Sequence, residues 1–596
     1  MTAASKTATT PATACEAFAV TVASRADQRA LRSADGSVDW SWAEYAERAC
    51  AAGGGLAGLG VGRGDTVALW LTNRPEFHVA DVGAMLLGAA PFSVYPTFTV
   101  EQAEHVIGDA GARVLVTEPA FLERALAVRD SGRTAVETVV LVDGSHPEAI
   151  AWQELLDLAS EPLELGAAAS HAQPDDLVTL IYTSGTTGPP KGVQLTHRNV
   201  TSLCSAIRDH AGFPEGLRAV SYLPMAHIAE RICTHYEPML LGWEVTTCPD
   251  PRAVAEVLPR VRPGFFFSPP RLWEKMRAAV LAGLERERDE ERRVGAEQAI
   301  DAAVAKVRLE QAGEPVPDEL AAQVAGAEAA FAELRERLGL DQVQVAIVGA
   351  APCPPEVIEF FHAIGVPLGE VYGMSETTGV QTMNPPDAIR IGTVGTSLPG
   401  VETRLSDEGE ILMRGPNVMA GYRNLPSKTA EVIDSDGWLH SGDIGEFDEG
   451  GYLRIIDRIK ELIISAAGKN MSPANIEAKL KTSSELIGLA CAVGDGRPYN
   501  VALITLDPDA LAAFATANGI EEASVEALTT HQAVRGEVER GVERANEQLA
   551  RVEQIKRFTI LPVEWQPGDE LTPTMKLKRK PIADKFAAEI DALYAG

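Results

Sequence analysis

The chain has 596 residues, long enough for several cores, and at roughly 150 residues per domain it should form about four domains or subdomains. Its 45% hydrophobic and 23% charged content is that of an ordinary globular protein, and a formal charge of −31 excludes nucleic acid or anionic lipid as a general partner. Seven scattered cysteines without C-x-x-C pairing exclude a zinc ribbon or a disulfide framework and suit a reducing, cytoplasmic setting.

Residues 1–14 carry alanine and threonine without an apolar core, so they are expected to be a disordered tail rather than a signal peptide. No later stretch approaches the roughly 18 uninterrupted apolar residues of a membrane span. From Trp42 a helical pattern runs into Gly53-Gly54-Gly55-Leu56-Ala57-Gly58, which matches G-x-G-x-x-G. A dinucleotide fingerprint follows a strand and opens a helix, whereas this run follows a helix and precedes the strand 65–71. It therefore reads as a helix ending in glycine and a turn. A helix over 77–87, a strand over 90–95, a helix from Val100 and a strand over 114–117 follow. Such alternation implies a mostly parallel sheet with helices on both faces.

The apolar strand 177–182 then feeds Thr183-Ser184-Gly185-Thr186-Thr187-Gly188-Pro189-Pro190-Lys191-Gly192. Glycines let backbone N–H groups approach an anion, the hydroxyls donate further bonds, and Lys191 adds a point charge, so the loop is suited to phosphate. A P-loop would need Ser or Thr after the lysine and a helix beyond it. Here Gly192 follows, and 193–195 is another β-type run.

A helix over 198–210 leads to Tyr222-Leu223-Pro224-Met225-Ala226-His227-Ile228-Ala229-Glu230-Arg231. Residues 276–339, rich in Glu, Arg and Ala and broken at Gly313 to Pro317, read as an inserted helical hairpin. Solvated helices packed on a rim are the plain reading of it, with regulation or membrane contact as the minority option. The sheet pattern resumes at 343–349 and ends in Glu370-Val371-Tyr372-Gly373-Met374-Ser375-Glu376-Thr377, which alone could be a strand end with a capped helix. Short β-type runs between Gly and Asp turns suggest a small β-rich subdomain over about 400–456. It carries Trp438-Leu439-His440-Ser441-Gly442-Asp443 and is followed by Asp457-Arg458-Ile459-Lys460, taken as the domain boundary. Residues 460–596 mix strands with a helix that has Val534, Val538, Val542 and Leu549 on one face, a compact α+β unit ending in the basic run Lys576-Leu577-Lys578-Arg579.

Together, and in this order, these strings resemble the acyl-adenylate-forming superfamily, which includes acyl-CoA ligases, luciferases and the adenylation domains of peptide synthetases. The resemblance covers nearly the whole chain. It implies an α/β fold, with a large N-terminal AMP-binding domain of doubly wound sheets (15–459) and a smaller α+β C-terminal lid (460–596). It implies that Thr183 to Gly188 and Lys191 cradle the phosphates of ATP, and that Gly349 and Ala350 line the nucleotide site. Tyr372, after which Gly373 follows, would stack on adenine, and Ser375 would bond the α-phosphate. Glu376 would bind Mg2+ together with Thr183, as a hard cation prefers. Asp443 and Arg458 would hold the ribose, Lys460 would be the hinge, and Gly468 would line the pantetheine path. Lys576 would be the catalytic lysine brought in by the lid. At Ile464 the chain departs from relatives that carry lysine, and the position is given no role.

The stretch 222–231, the helical insert, Gly349 to Pro352 and the C-terminal string look like the long-chain fatty acyl-CoA synthetases of bacteria. His227 would then lie near the acyl carboxylate, although a lone histidine is equally often a packing residue. The expected partners are a fatty acid, ATP and CoA, with no nucleic acid. The expected location is cytoplasmic, with a peripheral contact on the inner face of the membrane left open. A fatty acyl-AMP ligase serving a carrier protein, and a non-catalytic nucleotide-binding scaffold, are the alternatives. Cys353 is expected to be packing, since neither half of a ligase reaction needs a protein nucleophile.

Overall fold

The computed structural model describes residues 10–159, 163–183, 189–459, 461–464, 470–520, 524–566, 568–572 and 575–595. One sheet is parallel throughout, in the spatial order Ala90–Ser93, Thr66–Trp70, Val114–Thr117, Thr138–Leu141, Ile150–Ala151. Thr66–Trp70 is buried along its whole length, which explains its continuous apolar run. Val67 and Leu69 pack with Leu56, Phe77 and Ala80 on one side of the sheet, while Ala68 and Trp70 pack with Val106, Ile107 and Leu122 on the other. The sheet is therefore covered on both faces, as the alternation implies.

Two sequence expectations change in detail, and a third gains a reason. The helix Trp42–Gly58 ends in glycine and a turn, as expected, with Gly53 to Gly55 inside it. A Cβ at Gly55 would stand 2.2 Å from the Leu155 carbonyl oxygen, and one at Gly53 would stand 2.9 Å from that of Gly83. The glycines thus allow close approach of neighbouring backbone, and packing overrides their low helix propensity. Of the tail expected over 1–14, residues 1–9 lie outside the described residues, and Thr13 does not fit it: its side chain caps the helix Ala14–Arg25 by accepting from the Glu16 N–H at 3.0 Å and is itself buried. The inserted hairpin is Glu290–Gln311 and Asp318–Leu338; Met276, its expected start, falls inside the helix Pro270–Glu285. Ile300, Val307 and Phe331 of the hairpin join a core with Val357, Ile358 and Phe361, so one face is packed and the rest is solvated.

A second sheet sets Phe265–Ser268, Val345–Val348 and Leu368–Tyr372 parallel and adjacent, with Ser268, Val348 and Glu370 in register, and continues antiparallel through Thr382–Met383 and Thr396–Ser397. The carboxyl ends of the three parallel strands therefore open on one edge. Leu177–Thr183 and Lys191–Thr196 form an antiparallel hairpin in which Thr183 faces Lys191. This strand–loop–strand path differs from the strand–loop–helix of a P-loop. The strands Glu402–Leu405, Glu410–Arg414, Leu439–Phe447 and Leu453–Arg458 make an antiparallel sheet, the expected β-rich part.

In the C-terminal unit, Ile487–Val493, Asn500–Leu506 and Ile555–Ile560 form a mixed sheet. Its core gathers Ile476 and Leu480 of the helix Pro473–Ser483 and Val534, Val538, Val542 and Leu549 of or beside the helix Gln532–Glu547. The four apolar positions seen in the sequence are thus the buried face. All seven cysteines are buried and free. Among the described residues, no helix is long and apolar enough to cross a membrane.

Candidate active site

The edge where the parallel strands end collects most of the residues singled out above. Gly349 and Ala350 follow the strand Val345–Val348. Ala350 holds φ at 66°, and a Cβ on Gly349 would meet Val371 Cγ2 at 2.8 Å, so the turn is tightly drawn against the neighbouring strand. Tyr372 ends the next strand. A Cβ on Gly373 would meet the Gly379 carbonyl oxygen at 2.4 Å, a backbone approach only glycine permits. Ser375 and Glu376 lie in the 3-10 turn Ser375–Thr377 that follows.

The Tyr372 hydroxyl donates to Asp443 Oδ2 at 2.6 Å, and Arg458 Nε meets Asp443 Oδ1 at 3.2 Å. Asp443 and Arg458 are cross-strand partners in the β-rich sheet, so strand register fixes the ion pair. Asp443 is buried, and burial raises its carboxyl pKa against the opposing pull of Arg458 and the Tyr372 hydrogen bond. Glu376 is also buried and accepts from the Tyr422 hydroxyl at 2.7 Å, while Lys191 Nζ lies over the Tyr422 ring at 4.2 Å. One aromatic ring therefore ties the end of the phosphate-type loop to the Glu376 carboxylate. Tyr422 was not singled out in the sequence, because its strand Gly421–Tyr422 is two residues long and carries no periodicity.

Lys576 reaches this site from the C-terminal unit. Lys576 as a residue is exposed, while the surroundings of its ammonium push it down to about 8, first by desolvation and next by the Arg458 guanidinium, against the pull of Asp443, Glu461 and Glu376. The same lysine is felt by half-buried His227, whose imidazole is pushed down to about 4 by burial and then by the Lys576 charge. His227 caps the short helix Ile228–Arg231: its Nδ1 accepts from the Ala229 N–H at 3.2 Å. That leaves the proton of the neutral ring on Nε2, which can only donate. Three residues beyond Lys576, Arg579 makes hydrogen bonds of 2.6 and 2.9 Å to the two carboxylate oxygens of buried Glu477 and reaches Glu461 at 3.1 Å. In the sequence Arg579 is only one member of a terminal basic run, and neither glutamate is singled out.

Thr183, Lys191, Gly349, Ala350, Tyr372, Gly373, Ser375, Glu376, Asp443, Arg458, His227 and Lys576 thus have described positions. Ser184, Gly185, Thr186, Thr187, Gly188, Lys460 and Gly468 lie outside the described residues. Burial pushes the Cys353 thiol well above its ordinary value, so it stays protonated and unreactive.

Residues 18–423 match the family model described as AMP-binding enzyme, and residues 460–596 match that of the AMP-binding enzyme C-terminal domain. The chain belongs to the AMP-binding enzyme family. It is 49% identical over 425 residues to fadD11 of Mycobacterium tuberculosis, covering 71% of this chain and 74% of that one. It is 34% identical over 573 residues to the long-chain-fatty-acid CoA ligase FadD15 of the same organism, covering 93% and 92%. The fold is similar to that of the adenylation domain of a carboxylate reductase from Mycobacterium chelonae, with a TM-score of 0.75 at 22% identity over 98% of this chain and 91% of that one.

Proposed function

We propose that the chain is an AMP-forming long-chain fatty acid:CoA ligase. The observation that carries this reading is the cluster at the strand edge, where the Tyr372 hydroxyl donates to Asp443, Arg458 pairs with Asp443, and Tyr422 joins Lys191 to buried Glu376. Family membership and the FadD15 likeness support the same assignment. In the first half-reaction a carboxylate oxygen of the fatty acid attacks the α-phosphorus of ATP, the bond to the β-phosphate oxygen breaks, and pyrophosphate leaves. In the second, the CoA sulfur attacks the acyl carbonyl, AMP departs, and the thiol proton passes to solvent.

The residues divide this work. Asp443 accepts from the ribose hydroxyls, since each of its oxygens keeps a lone pair beyond those used by Tyr372 and Arg458. The Tyr372 ring stacks on adenine. The loop 183–188, with Lys191 and Ser375, binds phosphate oxygens. Lys576 stabilises the charge that builds on the α-phosphate, and the His227 Nε2–H donates to the acyl carboxylate. Mg2+ fits the hard oxygen donors available, the Glu376 carboxylate and the Thr183 hydroxyl completed by phosphate oxygens and water, and when bound it offsets phosphate charge.

The test is product analysis with a series of fatty acids. AMP, pyrophosphate and acyl-CoA in equal amounts support the ligase. ADP as product, or acyl-AMP that accumulates in the presence of CoA without thioester, would refute it, the second outcome in favour of an acyl-AMP ligase.

A further inference from the structure

The C-terminal unit touches the large domain through a row of charged pairs away from the nucleotide residues. Lys479 and Lys481, on the helix Pro473–Ser483, reach Glu356 at 2.8 Å and Glu274 at 3.5 Å. Asp507, on the same unit, pairs with Arg271, and Asp509 meets Lys275 at 3.0 Å. Asp507 is fixed beforehand, because its Oδ1 accepts from the Asp509 and Ala510 N–H groups at 3.0 Å and leaves Oδ2 for the arginine. Arg271, Glu274 and Lys275 occupy the helix Pro270–Glu285, which leaves the same sheet edge as Gly349 and Tyr372. Glu356 lies in the first turn of the helix Pro355–Ala363.

The helix Pro473–Ser483 also carries Glu477, the residue that grips Arg579 with both oxygens. Glu477 Oε1 accepts in addition from the Ala492 N–H at 2.8 Å, so the carboxylate is anchored to the central sheet of the unit. A continuous chain of contacts therefore runs from Glu356 and Glu274 through Lys479 and Lys481, along one helix to Glu477, across to Arg579, and back three residues to Lys576.

We propose that Lys479 and Lys481, through Glu356 and Glu274, and Glu477 and Arg579 behind them are positioning residues that deliver Lys576 to the nucleotide for adenylation, and that the two lysine pairs are released when the unit turns for thioester formation. The proposal rests on the ligase reading. None of the four needs to touch substrate. The lysine pairs are partly exposed, with side-chain accessibilities of 21 and 31% for Lys479 and Glu356 and 25 and 16% for Lys481 and Glu274. Partly exposed pairs of this kind are individually weak and can be remade, which suits a contact that must open in every turnover.

The half-reactions separate the idea from a general structural role. With Glu356→Lys, ATP–pyrophosphate exchange is expected to slow about fivefold, while thioester formation from supplied acyl-AMP and CoA stays within about twofold. Adding Lys479→Glu should restore exchange, which a misfolded protein could not do. Arg579→Ala should slow exchange while leaving intact a zero-length carbodiimide crosslink between Lys479 and Glu356, read by mass spectrometry on the full chain with ATP. Equal loss in both half-reactions, no rescue by the charge swap, or no such crosslink in the unmodified protein would overturn the proposal. Absence of exchange in the unmodified protein would refute the ligase reading instead, and the crosslink, which needs no turnover, would still decide the contact.

Discussion

Tyr372 and Asp443, 71 positions apart, are joined by a 2.6 Å hydrogen bond that couples the end of a parallel strand to the β-rich sheet. The tyrosine ring and the carboxylate are the two groups proposed to hold the adenine and ribose of one nucleotide, so the bond sets the spacing of the two subsites before ligand arrives. Tyr372→Phe keeps the ring and removes the donor, leaving one oxygen of a buried carboxylate without its partner. A buried acceptor stripped in this way costs about 1–3 kcal/mol. The KM for ATP in pyrophosphate exchange should rise about tenfold with a smaller change in kcat, and an unchanged KM would separate the bond from nucleotide binding.

The Lys576 ammonium titrates within an accessible pH range. Its pKa is lowered to about 8, so the charge needed at the α-phosphate is present below that pH and lost above it. Since kcat/KM reports ionisations of the free enzyme, kcat/KM for ATP in exchange should fall on the alkaline side of about pH 8. Thioester formation from acyl-AMP should show no such limb. Lys576→Arg, which stays charged, should flatten the alkaline limb even where the altered geometry lowers the plateau.

For His227 the sign is opposite and the window acidic. The ring, pushed to about 4, is neutral throughout the range in which an ordinary histidine, at 6.5, would titrate. Exchange should therefore show no histidine limb between about pH 5 and 7. His227→Ala removes both the cap and the Nε2–H donor, so the fatty acid KM should rise and the thermal midpoint should fall by the equivalent of about 1 kcal/mol. His227→Asn keeps a capping oxygen and an N–H, and it should recover stability more fully than catalysis.

Much of this site could be read in the chain because its parts are local strings at strand ends. Hydroxyl and glycine residues after Leu177–Thr183, and an aromatic and a carboxylate after Leu368–Tyr372, are written within a few positions of one another. What could not be read are pairings set by folding over long distances: Tyr422 with Glu376, 46 positions apart, and Arg579 with Glu477, 102 apart. Neither the two-residue strand bearing Tyr422 nor a terminal basic run bearing Arg579 has a pattern that names its partner. The packing role of the glycines of Trp42–Gly58 is hidden for a related reason. Their role depends on Leu155 and Gly83, which only the packed structure brings against them.

A second buried polar cluster makes a stability prediction of its own. Arg231, with no exposed side-chain surface, meets Asp81 Oδ2 at 2.7 Å and donates to the Met225 carbonyl, the Tyr236 hydroxyl and Ser93 Oγ at 3.1, 3.2 and 3.1 Å. His235 Nε2 lies 2.9 Å from the other oxygen of Asp81, and its Nδ1 lies 2.9 Å from His78 Nδ1. A neutral His235 that donates from Nε2 to the carboxylate accepts at Nδ1 from the His78 ring. Burial lowers both pKa values below the ordinary 6.5. A histidine with a depressed folded pKa binds its proton more readily when unfolded. Its stabilising contribution is complete above about pH 6.5 and shrinks as pH falls below that value. The thermal midpoint should thus decline from pH 7 to 5, and His78→Gln should lessen the slope. Arg231→Met leaves Asp81 buried without its cation and should cost about 3–5 kcal/mol, seen as a lower urea midpoint for the large domain. Adding Asp81→Asn should return part of that loss, because the penalty comes from the abandoned charge and not from the missing guanidinium. Equal midpoints for the single and double variants would show that packing of the arginine, rather than pairing, is what the core requires.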